Sequence, residues 1–285
     1  MARALVIRAA GTNCDSEMVR GFHLAGASCD LLHVDALIAQ PERLDDYDLI
    51  GFPGGFSYGD DVASGRIFAM KLRERLWPAL RSAVDRGCLV IGACNGFQVL
   101  VQVGLLPGTR EGEGASDRPP PQRVALTDNA SGRFADRWVG VEFPRESRCI
   151  WTRGLEDAFA GEFASDALRL PVAHGEGRFV CDAPEESAEL LRHGQVAVRY
   201  RDNFNGSEGA IAGICDRSGR VFGLMPHPER YLEWTRHPYW TRLEPSARNG
   251  ETPGLRIFRT AVEAARDSDA SRLAAAGSAI GQRRN

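Results

Sequence analysis

Short apolar runs alternate with helical patterns over the first hundred residues of the chain. This alternation is the order expected of parallel strands joined by crossover helices. The predicted strands are ALVIRA (4–9), CDLLHV (29–34), YDLIGFPGG (47–55) and CLVIGA (88–93). The predicted helices are SEMVRGFHLAG (16–26), a segment within 63–86, and a short helix that follows Cys94. The pattern predicts an α/β fold with an open, mostly parallel sheet flanked by helices.

The middle of the chain carries shorter strand patterns after one irregular stretch. Residues 109–122, TREGEGASDRPPPQ, are charged and rich in glycine and proline. They predict an exposed loop rather than a domain linker, because strand patterns resume at once. The strand candidates that follow are RVALTD (123–128), RWVGVEF (137–143), ALRLPVAH (167–174), QVAVRY (195–200), GAIAGICD (209–216) and RVFGLM (220–225). We interpret them as extensions of the same sheet.

The end of the chain changes character at residue 266. GLRIFRTAVEAAR (254–266) has the spacing of an amphipathic helix that closes the domain. Residues 267–285 are rich in alanine, serine and arginine, and we expect a flexible tail there. Residues 1–266 are therefore expected to form a single domain.

Composition narrows the class of protein. The apolar runs are too short to cross a bilayer, and the first residues lack the apolar stretch of a signal peptide, so a cytoplasmic location is expected. The net charge of −3 comes from interspersed acidic and basic residues, which favours a small substrate or a protein partner over nucleic acid. The 7 cysteines include no C-x-x-C pair, which argues against a disulfide framework and a cysteine zinc site. Most of them are expected to be buried thiols.

Cys94 lies where the fourth predicted strand meets the next helix, in VIGACNGFQVL (90–100). A nucleophile at such a tight turn needs small neighbours, and Gly92 and Gly96 supply them in the pattern G-x-C-x-G. The helix N-terminus favours a thiolate over a thiol. The alternative is a core cysteine at a strand end, because free cysteine is among the most buried residue types. This pattern alone leaves both interpretations open.

Two H-x-E triplets offer a histidine with a carboxylate beside it. His227 is held between two prolines whose fixed φ keeps the segment extended, so His227 and Glu229 are expected to project to the same side. The glycines around His174 and Glu176 suit a binding loop better than a fixed base. The geometry favours the first pair, against the alternative of surface histidines near carboxylates. No metal site is expected, because no third ligand is evident.

Six blocks, taken together, identify a family. They are GTNCD (11–15), GFPGGFSYGD (51–60), GACNGFQVL (92–100), PVAHGEGRF (171–179), NFNGS (203–207) and MPHPER (225–230). In this order they resemble the glutamine amidotransferase subunits of phosphoribosylformylglycinamidine synthase, an enzyme of purine biosynthesis. The likeness covers about residues 4–232 and resumes at the closing helix. G-x-C-x-G alone is shared by many cysteine hydrolases, whereas the ordered set is specific.

The resemblance implies a class I, flavodoxin-like amidotransferase fold with a catalytic triad. Cys94 would be the nucleophile, His227 the base and Glu229 the residue that orients the base. Cys94 would attack the side-chain amide of glutamine to form a γ-glutamyl thioester, which water would then hydrolyse. The chain would thus release ammonia and glutamate.

The resemblance also implies the groups that bind the developing oxyanion and the substrate. Gly54 and Gly55 after the third strand, together with the backbone of Asn95, would form the oxyanion hole, and Gln98 would contribute to substrate binding. His174 and Glu176 remain secondary candidates. The glycine loop by itself would predict only a turn.

The partners follow from the same resemblance. A synthetase subunit would bind ATP, magnesium and the ribotide, and a small accessory subunit would join the complex. No cofactor is expected in this chain. It contains no G-x-x-x-x-G-K-[ST] motif, and GEGASD (112–117) is a lone glycine cluster.

The chain departs from the family pattern at three places, and two other functions stay open. Ala10 stands where a proline is common, residues 61–70 are atypical, and the 233–251 segment is long and aromatic. That segment faces a partner or packs on its own domain. A stand-alone cysteine hydrolase or stress-type protein on this fold is one alternative, although it would need neither the 171–177 block nor the 225–230 block. A catalytically silent homologue is the other, although it would be expected to lack a triad residue.

Overall fold

The computed structural model describes residues 1–110, 118–160, 164–248 and 250–282, with side chains to residue 268 apart from 164 and 165. The strands are β1 (Arg3–Arg8), β2 (Ser28–His33), β3 (Leu49–Phe52), β4 (Leu89–Ala93), β5 (Val124–Thr127), β6 (Ala135–Glu142), β7 (Arg169–His174), β8 (Arg178–Cys181), β9 (Val196–Tyr200), β10 (Ile211–Cys215) and β11 (Val221–Leu224). The helices are α1 (Asp15–Leu24), α2 (Val34–Ala39), α3 (Arg66–Arg75), α4 (Trp77–Asp85), α5 (Asn95–Val103), α6 (Leu155–Ala158), α7 (Ala164–Ala167), α8 (Pro184–Arg192) and α9 (Pro253–Gln282).

A nine-stranded sheet in the order β2-β1-β3-β4-β11-β10-β9-β6-β7 organises the fold. The strands β2, β1, β3, β4 and β11 are parallel to one another, and the remaining four extend the sheet by antiparallel pairing. Every residue of β4 is buried, as expected of a parallel strand covered on both faces. The predicted open α/β sheet flanked by helices is confirmed.

The two faces of the sheet carry separate hydrophobic clusters. Val90 points into the cluster that includes helices α3 and α5, and Ile91 points into the cluster that includes helices α1 and α9. On the second face Phe22 and Phe258 meet edge to face, with ring centroids 5.2 Å apart. This alternation explains why the strand segments are almost entirely apolar.

The register brings three loops together at one edge. Phe52 of β3 pairs with Gly92 of β4, and Ala93 of β4 pairs with Leu224 of β11. The segments that follow β3, β4 and β11 therefore leave the sheet side by side. Open α/β sheets bind ligands at the carboxyl ends of their parallel strands.

Two strand predictions need correction. RVALTD forms β5, but β5 pairs antiparallel with β8 in a separate two-stranded sheet and does not extend the main one. The strand β8, which pairs with it, was not predicted, because it is only four residues long and directly follows a glycine-rich loop. The other predicted extension strands lie in the main sheet, as expected.

The helical predictions differ from the structure in several places, and the short helices α2, α6 and α7 were not predicted. The predicted helix within 63–86 is two helices, because Pro78 in the first turn of α4 has no N–H to continue the hydrogen bonding of α3. Helix α8 was not predicted. Helix α9 continues to Gln282, well beyond the predicted end at residue 266, while the flexibility of residues 267–285 stays a prediction. The GEGASD cluster lies outside the described residues.

The 233–251 segment packs partly on its own domain. The ring of Trp234 meets Tyr231 edge to face, and its Nε1 donates to the carbonyl of Gly250 at 2.9 Å. Tyr239 and Trp240 remain exposed, so a partner-facing role for them stays a prediction. Within the described ranges, no helix combines the length and apolar character needed to cross a membrane.

Candidate active site

Cys94 occupies a strained turn between β4 and α5. Its φ is +50°, a backbone conformation that residues other than glycine rarely adopt. Such strain is often found at functional sites. A Cβ on Gly96 would lie 1.9 Å from the carbonyl oxygen of Phe52, and one on Gly92 would lie 2.6 Å from that of Gly96. Gly96 is therefore required for the turn to pass so close to β3, and Gly92 for helix α5 to pack so close to β4, as the G-x-C-x-G spacing predicted.

The thiol of Cys94 is buried at the start of helix α5. Its Sγ lies 3.7 Å from the carbonyl oxygen of Ala173 at the end of β7, and the residue is only 5% exposed. The backbone N–H of Cys94 donates to Leu224 of β11 at 2.8 Å, which fixes the turn against the neighbouring strand. Cys94 immediately precedes Asn95, the first residue of α5, so it lies at the positive end of the helix dipole.

His227 and Glu229 form a buried pair beside this turn. The Nδ1 atom of His227 lies 2.6 Å from Oε1 of Glu229, and both residues are 1% exposed. The backbone N–H of His227 donates to Pro171 at 2.8 Å, so β7 holds the segment in place. A carboxylate on Nδ1 fixes the tautomer in which Nε2 is free for proton transfer.

The electrostatics of His227 favour its charged form. Burial by itself would lower the pKa of His227, but the Glu229 carboxylate and the neighbouring Cys94 sulfur outweigh it and hold the pKa well above its usual value. The arrangement therefore suits an imidazole ring that carries a proton on both nitrogens in the folded protein.

The loop after β3 passes directly over the imidazole. A Cβ on Gly54 would lie 2.6 Å from Cε1 of His227, so only glycine fits there. Gly55 adopts a φ of +141° and forms an isolated bridge with Thr12. The structure thus places Gly54 against the ring of His227, with Gly55 next to it in the same loop.

The loop between β1 and α1 braces this glycine loop. The carbonyl of Gly54 accepts hydrogen bonds from the N–H groups of Asn13 and Cys14, at 3.3 and 3.2 Å. The carbonyl of Ala10, the residue that departs from the family pattern, accepts from the N–H of Tyr58 at 2.7 Å. The GTNCD block therefore positions the predicted oxyanion hole from outside.

The side chains of Asn95 and Gln98 bind neighbouring loops. Asn95 Nδ2 donates to Asp60 at 3.1 Å and to Gln98 Oε1 at 3.0 Å, while its Oδ1 accepts from the N–H of Ser57. Gln98 Nε2 donates to the carbonyl of Glu176 at 2.5 Å. These side chains hold the surrounding loops to helix α5. The predicted oxyanion hole uses the backbone N–H of Asn95 and not its side chain.

His174 and Glu176 are held by other partners. Asn129 donates through Nδ2 to the carbonyl of His174, so its Oδ1 accepts from Nδ1 of the ring at 3.1 Å. Burial, with the charge of nearby His227, lowers the pKa of His174 to about 4. Glu176 accepts from the N–H of Ser64 at 3.3 Å, which ties the atypical 61–70 segment to this loop. A neutral, buried His174 fits a positioning role in the loop.

Three residues near the site were not predicted. Asp60 is half-buried and accepts from Asn95, and burial raises the pKa of its carboxyl group. Cys14, for which the sequence predicts no role beyond that of a buried thiol, lies with its Sγ 3.9 Å from Nδ1 of His227. Arg230 donates to the Sγ of Cys14 at 3.0 Å. The only local signal for Cys14 was its place in the GTNCD block.

The fold and the site together define a glutamine amidotransferase, and a family model described as a CobB/CobQ-like glutamine amidotransferase domain matches residues 1–263. Phosphoribosylformylglycinamidine synthase subunit PurQ of Methanococcus maripaludis is 40% identical over 282 residues, covering 92% of this chain and 96% of its own. The PurQ subunit of Dehalococcoides mccartyi is 40% identical over 271 residues, covering 93% and 98%. The chain therefore belongs to the PurQ family of amidotransferase subunits.

Solved structures agree with this assignment. A chain in the structure of PurLQS from Thermotoga maritima superimposes with a TM-score of 0.65 and 33% identity, covering 92% of this chain and 98% of its own. Another glutamine amidotransferase from Thermotoga maritima has a TM-score of 0.52 at 16% identity, covering 93% and 97%, and shows the fold alone. The resemblance inferred from the six sequence blocks is confirmed.

Proposed function

We propose that this chain hydrolyses glutamine through Cys94, His227 and Glu229 and supplies the ammonia to a phosphoribosylformylglycinamidine synthase in purine biosynthesis. The observation that carries the catalytic assignment is the buried His227–Glu229 pair next to a strained cysteine at a helix N-terminus. Membership of the PurQ family supports glutamine as the substrate and the synthase as the enzyme.

The first half-reaction uses a thiolate–imidazolium pair. The Cys94 thiolate attacks the carboxamide carbon of glutamine, and the carbonyl π electrons move onto oxygen. The N–H groups of Gly54 or Gly55 and of Asn95 stabilise that oxyanion. When the oxyanion collapses, the C–N bond breaks and the His227 imidazolium donates its proton, so ammonia leaves and a γ-glutamyl thioester remains.

The second half-reaction reverses the role of the histidine. Neutral His227 accepts a proton from a water molecule as that water attacks the thioester carbon. Collapse of this second tetrahedral species breaks the C–S bond, which releases glutamate and restores the thiolate with the imidazolium. Glu229 holds Nδ1 throughout, so Nε2 stays directed at the reacting atoms.

The ammonia is used on another polypeptide. A synthetase subunit completes the reaction, in keeping with the PurLQS assembly of the Thermotoga maritima relative. We place ATP and magnesium on that subunit and expect a small accessory subunit in the complex. A cytoplasmic location stays a prediction.

Separating the two half-reactions tests the proposal. In the assembled complex, Cys94→Ala should abolish product formation from glutamine but retain formation from ammonium chloride, because external ammonia bypasses the thiol. Cys88→Ala, which removes another buried thiol at the start of β4, is the matched control and should retain both activities. Loss of both activities by an assembled Cys94→Ala complex would show that Cys94 serves the synthetase step or the structure instead.

A further inference from the structure

A second thiol joins the His227–Glu229 pair in the folded chain. Among the described residues, Cys14, His227 and Glu229 form a group in which one sulfur, one ring nitrogen and one carboxylate oxygen all lie within 4.8 Å of one another. All three residues are buried. No third ligand is evident in the sequence, because Cys14 and His227 are 213 residues apart in the chain.

The three atoms have the chemistry and the spacing of a zinc site. Thiolate, imidazole and carboxylate are the ligands that Zn²⁺ takes in proteins, at about 2.3, 2.0 and 2.1 Å. In a tetrahedral site these lengths put the sulfur and nitrogen ligands roughly 3.6 Å apart. The observed distance between Sγ of Cys14 and Nδ1 of His227 is 3.9 Å. The cysteine and histidine ligands, which come from opposite ends of the domain sequence, are therefore almost in place.

The carboxylate is the ligand that has to adjust. Oε1 of Glu229 lies 2.6 Å from Nδ1, closer than the roughly 3.4 Å between nitrogen and oxygen ligands of one tetrahedral ion. Oε2 of Glu229 is buried and has no hydrogen-bond partner among the described residues. An ion would give that oxygen a partner while the hydrogen bond from Nδ1 breaks.

We propose that Cys14, His227 and Glu229 form an inhibitory site for Zn²⁺, with a water molecule as the fourth ligand. Binding displaces the thiol proton of Cys14 and the proton on Nδ1 to solvent. A neutral imidazole that binds the ion through Nδ1 carries its hydrogen on Nε2, so it can no longer accept a proton there. The inhibition rests on the proposed role of His227, whereas the binding does not.

Arg230 opposes the ion and provides an internal test. Its guanidinium donates to Sγ of Cys14 at 3.0 Å, and its positive charge repels a cation bound there. The side chain is half-buried, so it can turn toward solvent when the sulfur binds an ion. Arg230→Gln should therefore tighten the binding of Zn²⁺, while Cys14→Ser should weaken it.

Binding is measured with Co²⁺ as the probe and without reference to activity. Cys94→Ala provides the background, since it removes the other thiol near His227. In that variant one equivalent of Co²⁺ should produce a near-ultraviolet thiolate-to-cobalt absorption band that Zn²⁺ abolishes. Adding Cys14→Ser should remove the band, whereas adding Cys29→Ser or Cys181→Ser, the more accessible thiols, should leave it unchanged.

Inhibition is measured on the chain with Cys94 intact. Micromolar Zn²⁺ should inhibit glutamine hydrolysis and a chelator should restore it. Cys14→Ser should raise the inhibitory concentration about tenfold or more, on the scale by which loss of metal-site groups weakens binding. Arg230→Gln should lower the inhibitory concentration.

Either of two results overturns the site. One is a cobalt band that survives Cys14→Ser or disappears with Cys29→Ser or Cys181→Ser. The other is an unchanged zinc affinity in Arg230→Gln, which also decides the matter if Cys14→Ser does not fold. A chain without glutaminase activity that still gives the Cys14-dependent band would instead refute the proposed function and leave the metal site standing.

Discussion

Gly54→Ala tests the close approach between the glycine loop and His227, the proposed catalytic base. The added Cβ would lie 2.6 Å from Cε1 of His227, whereas ordinary contact begins at 3.4 Å, so the two groups must separate by about 0.8 Å. The ring is held by Glu229 and by burial, so either the imidazole or the oxyanion loop moves. A displacement of about 1 Å at reacting groups lowers rates by about a hundredfold.

The assay separates catalysis from folding. We expect kcat for glutamine hydrolysis to fall about a hundredfold in Gly54→Ala, and labelling of Cys94 by a glutamine-mimicking electrophile to slow in parallel. Gly140→Ala is the matched control, because its Cβ meets only the flexible side chain of Arg201, at 3.3 Å. It should retain activity. A folded Gly54→Ala protein with a kcat near that of the wild type would refute the placement of this loop over the base.

Three further predictions concern the same site. Gly96→Ala places a Cβ 1.9 Å from the backbone oxygen of Phe52 and should lower the free energy of unfolding by about 3 kcal/mol, measured by chemical denaturation; a loss below about 1 kcal/mol would contradict the described turn. His227→Ala should slow single-turnover thioester formation by about a hundredfold, and a larger loss in His174→Ala would reverse the two roles. The pKa of His174 is lowered from 6.5 to about 4, so the unfolded chain binds a proton at this residue before the folded chain does. The free energy of unfolding should therefore fall as pH falls from about 6.5 to about 4. The loss amounts to about 3 kcal/mol by pH 4, and denaturation curves of His174→Gln should show a correspondingly shallower dependence on pH.

The features set by local sequence could be predicted. The glycines around Cys94 indicated the tight turn, because only residues without a side chain allow it to pass Phe52. The prolines around His227 predicted an extended segment, but Pro228–Arg230 form a short 3-10 helix, and the expected contact between Glu229 and Nδ1 of His227 is present all the same. The run of apolar residues in β4 likewise predicted a strand buried on both faces.

The features set by distant contacts could not be predicted. Strand β5 reads like the strands of the main sheet, and only its pairing with β8 separates it from them. Cys14 reads like any core cysteine, and its position beside His227 depends on the β1–α1 loop meeting the segment after β11. The break between α3 and α4 did have a local signal in Pro78, which the interpretation of 63–86 as one helix ignored.

The sheet order has a consequence for when the protein becomes active during synthesis. Cys94 follows β4 and His227 follows β11, and these strands are neighbours in the sheet although the two residues are far apart in the chain. A ribosome that has made only the first five helices has already produced the thiol, but it has not yet made the imidazole. The proposed triad therefore cannot hydrolyse glutamine on a nascent chain until β11 has paired with β4. The last parallel strand to be translated thus determines when glutaminase activity appears.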